Sequence, residues 1–265
     1  MKKTKKQAIN PIGVFDSGIG GTSIWKEIHA LMPFEDTVYL ADSKNAPYGI
    51  KPKEEIIALS EKNTEILLKK NCKIIVVACN TATTNAIKHL RNKYTVPIIG
   101  IEPAIKPASL NSKSKAVGIL ATKGTLSSEL FIQTASIYSK GIKVIEQEGT
   151  GIVELIESGE LHSDKMLLLL KKYLHPMLVA NIDYLVLGCS HYPYLIPILK
   201  TLLPIEVKII DSGLAVAQQT KSVLEKNQLL TTRNQAVTNI FYTNSSAQLL
   251  QNFVGKKFLV KEMDF

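Results

Sequence analysis

The chain of 265 residues is 45% hydrophobic and 21% charged, with 32 Lys and Arg against 23 Asp and Glu and a net charge of +9. Such a composition fills a globular core and excludes a disordered or low-complexity chain. No apolar run reaches the roughly 20 residues of a membrane span; three cysteines without a C-x-x-C make neither a disulfide framework nor a metal site; and 6% aromatic residues without an arginine stripe give no nucleic-acid footprint.

The opening Met1-Lys-Lys-Thr-Lys-Lys6 has the charge of a signal-peptide n-region, but no apolar h-region or cleavage site follows, so the expected location is the cytoplasm. Residues 11–15 read as a short buried strand, 16–21 as a turn and 22–32 as a helix. A strand at 37–41 ends at Asp42, and residues 43–52 form a loop by composition. A helix over 53–70, a strand over 73–78, a helix near 81–93 and a strand at 97–101 follow, with Glu102-Pro103 opening a loop or helix turn. A second series then begins: strand 116–120, turn 121–124, helix 125–138, strand 143–147, helices near 151–158 and 163–180, and strand 183–188. The rest reads as a helix near 193–203, a strand at 207–210, a helix from Asp211-Ser-Gly213 to about Lys226, a strand at 238–242, a helix around 245–253 and a last strand near 257–260.

Alternating strands and helices imply a doubly wound α/β fold with mostly parallel sheets. The order also repeats. Ile12-Gly-Val-Phe-Asp-Ser-Gly is echoed by Val117-Gly-Ile-Leu-Ala-Thr-Lys-Gly, and each copy is followed at a similar offset by a strand ending on a thiol, Cys79 or Cys189. Strand ends at the rim of such a sheet are where open α/β folds bind ligands.

Two thiols in matching frames suggest a site with one acid–base group on each side of a carbon. Inverting an α-carbon requires removing a proton from one face and returning one to the other. A cysteine, with an ordinary pKa near 8.5, serves as acid or base at cellular pH. A lone cysteine is more often a small buried hydrophobe, and Cys72, which precedes its strand, reads that way. Asp16 ends the first strand and is placed either to assist Cys79 or to cap the following helix. His191, two residues past Cys189, is a proton relay or an ordinary loop histidine. Asn80, Thr81 and Ser190 offer donors for a carboxylate at helix starts, with capping as the alternative. Gly18-Ile-Gly20-Gly-Thr-Ser23 is a near-miss to a dinucleotide fingerprint with Asp42 near the expected distance. Its glycines are better read as letting backbone approach a small ligand. Tyr48, in Pro47-Tyr48-Gly49, is positioned to close over a ligand.

Together Asp16-Ser-Gly-Ile-Gly-Gly21, Ala46-Pro-Tyr-Gly49, Ala78-Cys-Asn-Thr-Ala-Thr83, Gly118-Ile-Leu-Ala-Thr122, Gly188-Cys-Ser-His-Tyr-Pro193 and Asp211-Ser-Gly213 resemble the bacterial glutamate racemases, from about residue 12 to 255. The resemblance implies two similar doubly wound domains related by pseudo-twofold symmetry, with the active site in the cleft between them. The expected division is 1–100 plus 212–265, carrying Asp16 and Cys79, and 101–211, carrying Cys189 and His191. It implies cofactor-independent interconversion of L- and D-glutamate, a supply of D-glutamate for peptidoglycan, no metal and no nucleic acid, and a homodimer. Cys79 and Cys189 are then the catalysts. Asp16, His191 and Glu157 assist them, with Glu154 as the competing glutamate. Ser17, Pro47, Tyr48, Gly49, Asn80, Thr81, Thr122 and Ser190 join them in holding the substrate. Ser190 departs from the family's usual Thr but keeps a hydroxyl. The alternatives are a racemase of another acidic amino acid, such as aspartate, or a catalytically silent binding homologue.

Overall fold

A computed structural model describes residues 8–235 and 237–265; the lysine-rich start lies outside the described residues. The first βα series runs β1 (Ile12–Asp16), α1 (Thr22–Leu31), β2 (Thr37–Ala41), α2 (Lys53–Lys69), β3 (Ile74–Val77), α3 (Asn80–Lys93), β4 (Ile98–Gly100). The second begins with α4 (Ile105–Asn111), β5 (Ala116–Ala121), α5 (Lys123–Leu126), α6 (Glu129–Tyr138) and β6 (Lys143–Glu148). It continues with α7 (Ile152–Glu157), α8 (Asp164–Val179), β7 (Tyr184–Gly188), α9 (Ile196–Leu202) and β8 (Lys208–Ile210). The chain then returns through α10 (Gly213–Lys226), β9 (Asn239–Thr243), α11 (Ala247–Val254) and β10 (Leu259–Glu262).

The strands form two sheets, ordered β10-β9-β2-β1-β3-β4 and β6-β5-β7-β8. Every pairing between them is parallel. The stretches β2-β1-β3-β4 and β6-β5-β7-β8 have the same winding, so the repeat seen in the sequence is a repeat of topology. In both, the chain moves from the first strand to one side and then to the other. That reversal makes the crevice beyond the carboxyl ends of β1 and β3, and of β5 and β7, a switch point suited to ligands. The repeat reaches the caps as well. Asn71 and Asn181 precede the two thiol strands at φ 59° and 53°, a left-handed turn that Asn tolerates better than most residues.

Alternate side chains of β1 serve different layers. Ile12 and Val14 join a core that continues through Trp25 and Tyr39 to Leu120, Ile156, Met166 and Leu187 of the second series. Phe15 packs on the opposite face with Ile75, Val77 and Leu90. A core shared by both sheets holds their carboxyl ends toward one another. Among the described residues, no helix is long and apolar enough to cross a membrane.

Four details differ from the sequence reading. The loop 43–52 contains two tight 3-10 turns, Ser43–Asn45 and Tyr48–Ile50. The helix expected over 125–138 breaks after Leu126 and restarts at Glu129, because the Ser128 hydroxyl caps the second piece at the Phe131 N–H. The helix expected over 193–203 opens as a 3-10 turn, Tyr192–Leu195. The stretch after Glu102-Pro103 forms a helix, α4, whose internal Pro107 and missing side-chain cap hid it.

Candidate active site

Cys79 stands just past β3 and is the N-cap of α3, its sulfur accepting from the Ala82 N–H at 3.4 Å. Capping at this helix therefore falls to the thiol; Asn80 and Thr81 lie inside the first turn. The thiol donates toward Ser17 Oγ at 3.6 Å. Burial pushes it up, and the nearby Asp16 charge pushes the same way.

Asp16 is fully buried and does not cap α1, whose N-cap is Gly21 with no side-chain bond. Its carboxylate accepts from the Gly18 N–H at 3.0 Å and from the Ser190 hydroxyl at 2.9 Å. The Ser190 bond crosses from the second sheet to the first, so the hydroxyl retained at this position has a defined task. Burial raises the Asp16 carboxyl above its ordinary range, only partly offset by His191.

Cys189 follows β7 directly, with His191 Nδ1 3.8 Å from its sulfur. On the other side of the ring, Nε2 meets Glu157 Oε1 at 2.6 Å. The Gly20 N–H also points at Nε2, at 3.3 Å. One nitrogen cannot donate to a carboxylate and accept from an amide at once. The shorter charge-assisted contact prevails, which puts a proton on Nε2. Burial alone would lower the imidazole, but its hydrogen bonds to Cys189 and Glu157 outweigh it and raise His191 well above its ordinary 6.5.

Glu157 ties the two sheets together. Oε1 accepts from the Ile19 N–H at 2.7 Å and Oε2 from the Ser43 hydroxyl at 3.0 Å. Glu154, one turn earlier, is exposed. The glycine motif acquires its reason here. A Cβ on Gly18 would collide with the Glu157 carboxylate, and one on Gly20 with the His191 ring. These glycines admit side chains from the opposite sheet, rather than a nucleotide or other ligand.

Both cysteines line one small cavity of about 10 Å³. Ser17, Pro47, Tyr48, Gly49, Asn80, Thr81, Thr122, Ser190 and His191 line it with them, as does Val153, which the sequence did not mark. Of the substrate residues expected from sequence, Asp16 is the one set behind this wall. Thr81 and Thr122 touch hydroxyl to hydroxyl at 2.8 Å across the seam. The Tyr48 hydroxyl is spent on Asp42 at 2.5 Å, so it does not close over the cavity. Asn80 differs from its neighbours: its amide is buried with neither nitrogen nor oxygen partnered in the protein. An orphaned amide at a cavity wall is a handle for a polar ligand. A larger crevice of about 530 Å³ lies outside α3, between α2 and α6, but no thiol lines it. Ser43, Ser23 and Thr125 were not foreseen. Ser23 donates to the Ser190 carbonyl at 2.8 Å and Thr125 contacts Thr81 at 3.3 Å, and no local pattern marks such long-range pairs.

Residues 12–220 match the family described as Asp/Glu/Hydantoin racemase. The glutamate racemase of Ralstonia pickettii is 45% identical over 252 residues, 95% of this chain and 88% of that protein. That of Herpetosiphon aurantiacus is 44% identical over 220 residues, 83% of this chain and 87% of that protein. Among solved structures, Escherichia coli glutamate racemase in complex with L-glutamate and the activator UDP-MurNAc-ala superposes with a TM-score of 0.84 at 32% identity, covering 96% of this chain and 98% of that one. The Francisella tularensis enzyme in complex with D-glutamate gives 0.83 at 29% identity, covering 97% and 98%.

Proposed function

The chain belongs to the Asp/Glu/Hydantoin racemase family, and on that premise we propose that it interconverts L- and D-glutamate by proton transfer between two thiols. The observation that carries the reading is the single cavity lined by Cys79 and Cys189, with the unpartnered amide of Asn80 in its wall. One thiolate removes the α-proton, leaving a carbanion whose charge spreads into the carboxylate. The other thiol returns a proton to the opposite face, and the pair exchanges roles in the reverse direction. Burial and the neighbouring Asp16 charge favour the protonated form of Cys79. The α-ammonium of a bound glutamate brings a positive charge that offsets Asp16 and eases formation of the Cys79 thiolate. At Cys189 the partner is His191, oriented and charged by Glu157. Asn80, Thr81, Thr122 and Ser17 supply neutral donors for the two carboxylates.

The cavity is about large enough for one water, so glutamate enters only when the sheets separate. We assign residues 1–100 with 212–265 to one lobe and 101–211 to the other. The strands of each sheet fall within one assignment. A cytoplasmic homodimer supplying D-glutamate for peptidoglycan completes the proposal; a twofold dimer is the commonest assembly of soluble proteins.

The test is a chiral assay of the purified chain with L-glutamate, no pyridoxal phosphate and a metal chelator present, with L-aspartate in parallel. Appearance of D-glutamate at a rate unchanged by the chelator supports the proposal. Preferential turnover of aspartate, or binding without turnover, overturns it.

A further inference from the structure

We propose that Asp42 and Asn244 form a positioning relay that fixes the loop from Ser43 to Ile50 against the cavity. This role deepens the racemase reading and rests on it. Asp42 follows β2 directly, its backbone N–H donating to the Asp16 carbonyl at 3.1 Å. Its side chain is buried and meets no cation among the described residues. Instead it collects neutral donors. Oδ2 accepts from the Tyr48 hydroxyl at 2.5 Å and the Asn63 amide at 3.4 Å; Oδ1 accepts from the Asn45 amide at 2.7 Å and the Asn244 amide at 2.5 Å.

A buried carboxylate without a counter-ion is tolerable only when such donors replace its water. Two of them, Asn45 and Tyr48, belong to the loop itself. Asn244 adds a third hold, because its carbonyl accepts from the Lys44 N–H at 2.9 Å. Its amide also donates to the Phe265 carbonyl at 3.1 Å, which anchors it to the segment after β10. Residues 44, 45 and 48 are therefore pinned through one carboxylate and one amide remote from the reacting carbon. The loop carries Pro47, Tyr48 and Gly49 into the cavity wall and Ser43 onto Glu157. Asp42, noted in the sequence for its distance from the glycine motif, is occupied by these four donors.

The experiment compares the parent with Asn244→Ala, Asn45→Ala and the double variant, Asn45 being a loop donor to Asp42 that does not line the cavity. KM and kcat are measured for both enantiomers, and amide hydrogen exchange is followed over residues 43–50. Each single variant is expected to raise KM about tenfold, the effect of losing one hydrogen bond to a charged group. Values of kcat should stay within about threefold, and exchange in the loop should quicken about tenfold. The double variant should depart from the product of the single effects by at least about threefold, since both side chains bond one carboxylate. KM values within about twofold of the parent, or penalties that multiply in the double variant, overturn the relay. Should Asn244→Ala melt too low to assay, Asn45→Ala decides the matter alone. A parent without glutamate turnover counts against the racemase reading, and loop exchange then judges the relay: faster exchange supports it and unchanged exchange overturns it.

Discussion

At Cys79 two influences act together: burial and the Asp16 carboxylate both disfavour the thiolate. At Cys189 the adjacent group is an imidazole that carries a proton. The two sides of the cavity thus begin in unlike protonation environments, as an acid and a base must. Replacing either cysteine by Ala should lower kcat by about a thousandfold or more, the scale of a lost general acid or base, with circular dichroism unchanged. Substantial turnover in either variant would contradict its role. Asp16 illustrates function opposing stability. Its folded pKa is raised by burial, so its contribution is favourable only below the unfolded value near 3.8 and turns into a cost as pH rises. Asp16→Asn can keep the bonds to Gly18 and Ser190, so it should melt no lower than the parent at neutral pH while losing at least about a hundredfold in kcat. A large drop in melting temperature would count against this account. For His191 the folded value is also raised, here by Cys189 and Glu157 against burial, so its stabilisation is complete below about 6.5 and fades as pH climbs through the folded value. Melting temperature should therefore fall on the alkaline side more steeply for the parent than for His191→Asn. Parallel curves would remove the charged pair from the argument.

At the scale of elements, the parts legible in the sequence were those with local causes. The apolar runs ending on Cys79 and Cys189 announced buried parallel strands, and their repeat announced matching sheets. Hidden parts depended on partners far along the chain. Ser43 is fixed by Glu157, 114 positions away, and Asp42 by Asn244, 202 positions away. Neither relation leaves a spacing to read. The glycine motif was visible, but its reason was not, because the groups it accommodates come from the other sheet. Gly20→Ala tests that reason. The added methyl meets the His191 ring, so the variant should lose about 1–3 kcal/mol of stability, as overpacking does, and most of its activity. Ordinary stability with full turnover would show that the close approach is dispensable.

Across the whole molecule, the chain passes between sheets twice, near residues 101 and 211, and the Ser212 hydroxyl ties the two crossings by bonding to the Glu102 carbonyl. The other end of the seam combines the shared apolar core with polar contacts: Glu157 to Ile19 and Ser43, Thr81 to Thr122, and Ser190 to Asp16. On the proposed two-lobe division, the lobes are expected to open about these crossings and close over a ligand. Small-angle scattering should show a larger radius of gyration without ligand than with saturating D-glutamate; identical curves would mean that substrate reaches the cavity by another route. The most direct test of two opposed thiols is the start of the reaction in heavy water. D-Glutamate formed from L-glutamate should carry one solvent deuterium at the α-carbon, while the remaining L-glutamate stays unlabelled at early times. Deuterium appearing equally fast in recovered L-glutamate, or protium retained in the product, would mean that a single group serves both faces.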